Sequence, residues 1–216
     1  GSSIERFRSD AKAEGDLVTI GGYQSQDASG LSSSHLDAKW FYLTLTKANA
    51  PWAFGKGEPF RTIASLELLG SLLSIMLLLE PGESKEDDLS GSLSVGGLTD
   101  NSGNRFAVAR MMSTKWPLSA FVSELVVQLE ERDLLFELQW VPREQNSEAD
   151  AITNGDFTWL NPLRRVDANL CNLPFRVLPN LLKEGPRFYK DLDTINVGCP
   201  PLAKPKRLLR IREPWG

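Results

Sequence analysis

Four acidic residues lie where a carboxylate is normally unfavourable. Asp10 follows a β-rich run, Glu67 lies in an apolar helical segment, Asp100 ends a predicted strand, and Asp150 lies in a short predicted helix. An ionised acid loses hydration in such places, and acids brought close together raise one another's pKa. Bound divalent cations remove both costs. Two such ions about 4 Å apart can stabilise the attacking and leaving oxygens of a phosphodiester displacement.

The elements that would position these acids follow from hydrophobic periodicity and turn residues. Predicted strands cover residues 4–9, 17–23, 39–45, 93–99 and 134–141, and predicted helices cover 61–80, 105–113, 118–132 and 147–153. We expect Asp10 to begin a polar turn over residues 11–16 and Asn146 to cap the last helix. This order predicts an α/β domain over residues 4–155.

A proline-rich C-terminal extension, residues 156–216, follows this domain and ends in a basic segment, residues 204–212. The pattern leaves open whether it wraps the core or forms a separate tail. Its basic end could bind phosphate, dock onto an adjoining domain or remain solvated.

Composition restricts the class of protein only loosely. The net charge of −4 neither supports nor excludes a nucleic-acid partner, because phosphate binding needs only a local basic patch. Cys171 and Cys199 have no metal-ligand spacing, which predicts reduced thiols in an intracellular protein, nuclear or cytoplasmic. The apolar run over residues 66–79 is too short and interrupted to cross a membrane.

Three segments resemble the ribonuclease H domains that follow reverse transcriptases in retroelements. They are Ser-Leu-Glu-Leu-Leu at residues 65–69, Leu-Thr-Asp-Asn at 98–101 and Trp-Val-Pro-Arg-Glu-Gln-Asn-Ser-Glu-Ala-Asp-Ala at 140–151. The set is most similar to that of the DIRS-like retrotransposons, which encode a tyrosine recombinase. The resemblance covers about residues 5–155 and implies a ribonuclease H-like fold, with a five-stranded mixed sheet flanked by helices.

The resemblance implies hydrolysis of the RNA strand of an RNA–DNA hybrid, leaving a 3′-hydroxyl and a 5′-phosphate. It makes Asp10, Glu67, Asp100 and Asp150 the catalytic ligands of two Mg²⁺ or Mn²⁺ ions. Glu148 would be an acid close to the metals, or part of a solvated face. The implied partners are the hybrid and an upstream reverse transcriptase domain, with no membrane.

Residues near these motifs could contact the hybrid. Lys115 and Trp116 could bind a phosphate and a sugar or base face, or Trp116 could pack in the turn between two helices. Asn101, Asn104 and Arg105 could reach the minor groove, where 2′-hydroxyls distinguish RNA from DNA, or could cap the next helix.

Two features depart from the family pattern. The loop over residues 142–146 lacks the histidine that many members carry, and the single histidine, His35, is expected to be a surface residue. The motif at Asp10 lacks a glycine-rich continuation before Gly21 and Gly22.

Two alternative functions remain. One is a non-enzymatic nucleic-acid-positioning scaffold, and the other is an integrase or transposase of the same superfold, which the early helical Glu67 disfavours.

Overall fold

The computed structural model describes residues 4–25, 34–55, 57, 59–79, 89–94, 116–134, 136–141, 146–185 and 187. Its strands are β1 (Ile4–Glu5), β2 (Phe7–Glu14), β3 (Leu17–Gln24), β4 (Trp40–Leu45), β5 (Leu89–Ser94) and β6 (Phe136–Val141). Its helices are α1 (Ile63–Leu78), α2 (Leu118–Arg132), α3 (Ser147–Thr153) and α4 (residues 178–185). Short 3₁₀ turns at Pro51–Phe54 and Pro59–Thr62 precede α1.

The strands form two three-stranded sheets. In one sheet, β2, β3 and β4 are antiparallel neighbours in that order. In the other, β5 lies between β1 and β6, and both pairings are parallel. Only Arg6 separates β1 from β2, so the first strand segment leads directly from one sheet into the other.

Strand β2 is longer than the sequence analysis predicted. The predicted polar turn over residues 11–16 is wrong, because β2 continues to Glu14 and the turn is confined to Gly15 and Asp16. Gly15 has a positive φ of 58°, which glycine adopts without steric cost. The alternation of side chains between the two faces of the sheet explains the longer strand. Ala11 is buried on one face and Lys12 is half-exposed on the other. Asp10 therefore lies in mid-strand.

Helix α1 is buried on most of its surface, as its nearly uniform apolar sequence predicted. Its leucines, including Leu66, Leu69 and Leu73, are fully buried. Small residues face the sheet: a Cβ on Gly70 would lie 3.1 Å from Ser9 Oγ, on β2. The helix therefore packs unusually close to the antiparallel sheet, and α2 packs against α1 in turn.

The opposite face of β2 and β3 is covered by α3, at the bounds that the sequence predicted. Ile152 packs against Gly21, where a Cβ would lie only 2.4 Å from its Cγ2 atom. A second hydrophobic cluster forms here from Tyr23, Trp40, Ala149, Ile152 and Leu160. The antiparallel sheet thus lies between α1 and α3.

The described part of the C-terminal extension packs onto this core. Leu160 belongs to the second cluster, and Ala168 and Leu178 belong to the main one. The indole of Trp40 donates to the Asn161 carbonyl at 2.8 Å, and the Val166 amide donates to the Trp40 carbonyl at 2.8 Å. These contacts hold the chain along the outer strand β4.

Several predictions fall at or beyond the edge of the described residues. The predicted strand over residues 93–99 corresponds in part to β5, which begins earlier, at Leu89, and is described as far as Ser94. The predicted helix over residues 105–113 and Cys199 lie outside the described residues. Cys171 is a free, exposed thiol. Within the described chain, no helix is long and apolar enough to cross a membrane.

Candidate functional site

Asp10 is held in the middle of β2 with almost no solvent exposure. Asp10 is 1% exposed and pairs with Gly21 of β3. The hydroxyl of Thr153, on α3, lies 3.3 Å from Asp10 Oδ2 and 2.8 Å from the Asp150 carbonyl oxygen, so one hydroxyl hydrogen serves two acceptors. This contact places Asp10 on the α3 side of the sheet and links it to the helix that carries Asp150.

Glu67 approaches the same strand from the other layer. It is 1% exposed and lies one helical turn before Gly70, the residue that packs against Ser9. Ser9 and Asp10 are neighbours on β2, and successive side chains of a strand point to opposite faces. Glu67 therefore lies on the helix that packs against the strand carrying Asp10.

Asp150 lies at the more exposed end of the site. It is partly buried on α3, and the side-chain amide of Asn154 donates to Asp150 Oδ2 at 3.1 Å. The ammonium of Lys12 donates to the other end of that amide, Asn154 Oδ1, at 2.5 Å. Asp150 is thus connected through Asn154 to β2, two residues beyond Asp10.

The fourth predicted acid, Asp100, lies outside the described residues. Among the residues that the structure does describe, no three histidine, cysteine or acidic side chains converge as a metal-binding group. Asp10 and Glu67 each make polar contacts within the fold. The described geometry therefore links Asp10 through Thr153 to the helix that carries Asp150 and places Glu67 on the helix that packs against β2, without completing a set of ligands.

Glu148 lies in the first turn of α3, partly exposed, and faces a small charge network. Its Oε2 atom is 3.9 Å from Arg8 Nη1, and Arg8 also forms an ion pair with Glu5. Burial alone would lower the pKa of Arg8, but the hydrogen bond and charge of Glu5 raise it above its ordinary value. Burial, followed by the charge of Glu148, raises the pKa of the Tyr23 phenol to about 12.

The predicted nucleic-acid contacts fall largely outside the described residues: Asn101, Asn104, Arg105 and Lys115. Trp116 is described and is half-buried. Its indole donates to the Leu181 carbonyl at 3.0 Å, and a Cβ on Gly185 would lie 2.1 Å from its ring. This geometry gives Trp116 a packing contact with α4, while contact with nucleic acid stays a prediction.

Sequence reasoning missed several residues around Asp10. Asn146 occupies the N-cap position of α3, but its side chain makes no capping bond there, contrary to the prediction. Its amide instead donates to the Ser9 carbonyl at 2.9 Å and fastens α3 to β2, because the buried strand offers a fixed acceptor. Thr153 and Lys12 were also missed, since their partners lie far away in the sequence.

A groove elsewhere on the surface does not include these acids. It has a volume of about 740 Å³ and lies between β4 and residues 162–171. Its lining includes Tyr42, Arg165 and Cys171 but none of the three described acids, Asp10, Glu67 and Asp150. The candidate site is therefore defined by buried carboxylates between layers rather than by this groove.

Comparison with known proteins gives a likeness among solved structures but no family. No protein family model matches the sequence, and no curated protein matches it. Among solved structures, the chain is similar to the N-terminal RNase H domain of a Mycobacterium tuberculosis protein, studied as a fusion with maltose-binding protein. The sequence identity is 14% and the TM-score is 0.35, over 72% of this chain and 95% of that one. A likeness at this level identifies neither residues nor an activity.

Proposed function

We propose that this chain is a metal-dependent nuclease of the ribonuclease H type, which hydrolyses the RNA strand of an RNA–DNA hybrid. The observation that carries the proposal is the burial of Asp10 and Glu67, each 1% exposed, on a strand and a helix that pack together. Burying an ionised carboxylate costs several kcal/mol unless the fold compensates it. Two buried acids on elements that pack together suit a metal-binding site, in which bound cations would offset that cost.

The topology supports this proposal. We propose that β1 and β2 are one strand interrupted at Arg6, which would join the two sheets into a single five-stranded mixed sheet. Strands β4, β3 and β2 would form its antiparallel half, and β5 and β6 its parallel half. The ribonuclease H resemblance of residues 65–69, 98–101 and 140–151 implies the same arrangement.

The donor set fits hard divalent cations. Mg²⁺ and Mn²⁺ prefer carboxylate oxygens, and Asp10, Glu67 and Asp150 supply them, with Asp100 proposed as the fourth ligand. When bound, two such ions would supply positive charge to the attacking and leaving oxygens of the phosphodiester. The chain's own part is to exclude water from Asp10 and Glu67, and to orient Asp10 through Thr153 and Asp150 through Asn154.

The wider context belongs to the same proposal. Residues 4–155 would form the catalytic domain, with residues 156–216 as an extension anchored on it. The motifs at residues 98–101 and 140–151 support an origin in a retroelement polyprotein, downstream of a reverse transcriptase and inside the cell. Asn101, Asn104 and Arg105 would face the minor groove of the hybrid, with Lys115 and Trp116 as a further contact.

Cleavage of a labelled RNA–DNA hybrid tests the proposal directly. The intact chain should cut only the RNA strand, and only with Mg²⁺ or Mn²⁺ present. Asp10→Asn and Glu67→Gln should reduce cutting to background, because each replaces a charged metal ligand with a neutral amide of nearly the same size. Asp37→Asn, at an exposed position away from the site, is the matched control and should cut like the parent.

Two results would overturn the assignment. Equal cutting by the parent and by Asp10→Asn would show that the activity belongs to another site or to a contaminant. Binding of the hybrid without cutting of either strand would favour the nucleic-acid-positioning scaffold. The described residues leave room for that alternative, because they do not complete a group of metal ligands.

A further inference from the structure

Two cations flank Asp10 on the same face of β2. Arg8, Asp10 and Lys12 alternate along the strand, so their side chains share the face that packs against α3. Each cation is two residues from Asp10, about 7 Å along the strand. Asp10 itself is covered by α3, but the side chains of Arg8 and Lys12 are 34% and 35% exposed, so a polyanion that reaches the edge of this face would meet a positive charge on either side of Asp10.

The two cations differ in how firmly they are held. Arg8 is engaged by two carboxylates, through its ion pair with Glu5 and its approach to Glu148 at 3.9 Å. Among the described residues, Lys12 forms an ion pair with Glu14, whose Oε2 atom lies 3.4 Å away on a side chain that is 80% exposed. An ion pair this exposed contributes at most about 1 kcal/mol, so a stronger anion can replace Glu14 at little cost.

Asn154 fixes the position of the Lys12 ammonium. It accepts one hydrogen bond from Lys12 at 2.5 Å and donates another to Asp150 Oδ2 at 3.1 Å. An ammonium group has three donors, so the bond to Asn154 leaves others for a ligand. Lys12 is thus oriented relative to both acids of the α3 side of the site.

We infer that Lys12 binds a phosphate of the substrate strand next to the phosphate that the proposed metal site would hold. The inference rests on the proposed function, and it adds a contact on β2 to those expected near Asp100 and Trp116. Lys12 lies about 7 Å along β2 from Asp10, and its ammonium is turned toward Asn154 rather than toward the Asp10 carboxylate. We therefore assign it to a phosphate beside the one undergoing cleavage.

The salt dependence of hybrid binding tests this contact. All proteins would carry Glu67→Gln, so that the hybrid stays intact, and binding would be followed by fluorescence anisotropy at a series of KCl concentrations and fixed Mg²⁺. Lys12→Gln should reduce the slope of log K against log [KCl] by about one. Between 50 and 200 mM KCl, its affinity should then fall about fourfold less than that of the parent.

Two matched variants separate a phosphate contact from a general loss of charge or of structure. Lys47→Gln removes the same charge at an exposed position beyond β4 and should keep the slope of the parent. Lys12→Arg preserves the charge and should also keep it. A parental slope in Lys12→Gln, with hybrid binding intact, would overturn the inference and leave the proposed function standing. If the Glu67→Gln parent failed to bind the hybrid, the proposed function would fail first and the inference with it.

Discussion

Thr153 and Asp10 are 143 positions apart in the chain, yet the hydroxyl oxygen of Thr153 lies 3.3 Å from Asp10 Oδ2. The same hydroxyl lies 2.8 Å from the Asp150 carbonyl oxygen, and the Thr153 carbonyl accepts a hydrogen bond from Thr19 at 3.0 Å. One buried threonine therefore sets the distance between the strand and the helix that carry two of the proposed metal ligands.

Replacing the Thr153 hydroxyl should lower the rate of hybrid cleavage more than the stability of the fold. Thr153→Val keeps the shape and removes the donor, and we expect kcat for hybrid cleavage to fall roughly fivefold, equivalent to about 1 kcal/mol. Thr153→Ser keeps the hydroxyl and should retain most of the activity. Single-turnover cleavage would measure both. Equal rates for Thr153→Val and the parent would show that the hydroxyl does not orient Asp10.

Gly21 should tolerate no side chain. It pairs with Asp10 across the sheet, and a Cβ there would lie 2.4 Å from Ile152 Cγ2. Overpacking of this kind costs about 1–3 kcal/mol, and we expect that loss of unfolding free energy for Gly21→Ala in urea. Gly55→Ala is the control, because its nearest neighbours would be 3.6 Å away and its φ is −64°.

A double variant identifies the clash as the cause. Ile152→Ala removes the Cγ2 atom and opens a cavity, so it should destabilise the protein by itself. Combined with Gly21→Ala, the total loss should be smaller than the sum of the two single losses, because each change relieves the other. Strictly additive losses of unfolding free energy would show that a Cβ at position 21 does not clash with Ile152.

Glu124 should anchor the C-terminal extension. The residue is fully buried on α2, and its Oε1 atom accepts the backbone amides of Arg176, Val177 and Leu178 at 2.6, 3.1 and 3.2 Å. Glu124→Ala leaves these amides at the start of α4 without their acceptor, and we expect a loss of about 2–3 kcal/mol. Limited proteolysis should then cut within residues 166–185 faster than in the parent.

A neighbouring acid provides the comparison for Glu124. Glu131 forms a 3.0 Å ion pair with Arg176, but both side chains are largely exposed. Exposed pairs contribute about 1 kcal/mol or less, so Glu131→Ala should change stability and proteolysis little. Similar proteolysis of the two variants would show that the buried carboxylate does not hold the extension.

Tyr23 should make the fold sensitive to alkaline pH. Its pKa is about 12 in the folded chain, raised first by burial and then by the charge of Glu148 from the ordinary value of 10.0 for a tyrosine. Below pH 10 the phenol is neutral in both the folded and the unfolded states. Its contribution to the unfolding free energy is therefore complete in that range. Between pH 10 and 12 the unfolded state loses the proton more readily, and the unfolding free energy should fall as pH rises.

The Tyr23→Phe variant isolates this contribution. Because it has no phenol at this position, its unfolding free energy should decline less between pH 10 and 12 than that of the parent. Urea unfolding at several pH values would measure the difference, with tyrosinate absorbance as a second observable. If the unfolding free energies of Tyr23→Phe and the parent fell equally steeply, other groups, such as lysines, would account for the loss of stability at alkaline pH.

Local patterns predicted those features of the fold that depend on short stretches of chain. The bounds of α2 and α3 follow from periodicity, and the apolar neighbours of Glu67 indicated its burial. The extent of β2 was missed because Lys12 and Glu14 look like turn residues until β3 pairs with them. The partners of Thr153, Asn146 and Glu124 depend on chain segments far apart in sequence, which no local pattern encodes.

Among the described residues, β3 pairs with one side of strand β4, and residues 161–166 cover part of the other side. The Trp40 carbonyl accepts the Val166 amide, and Trp40 and Arg165 form an isolated parallel bridge. A protein truncated near residue 155 would lose this cover and expose unpaired backbone groups along β4. Such an edge pairs readily with another copy. Trimming the chain to residues 4–155 should therefore yield a protein that self-associates, because residues 161–166 would no longer protect the edge of β4 from pairing with another copy.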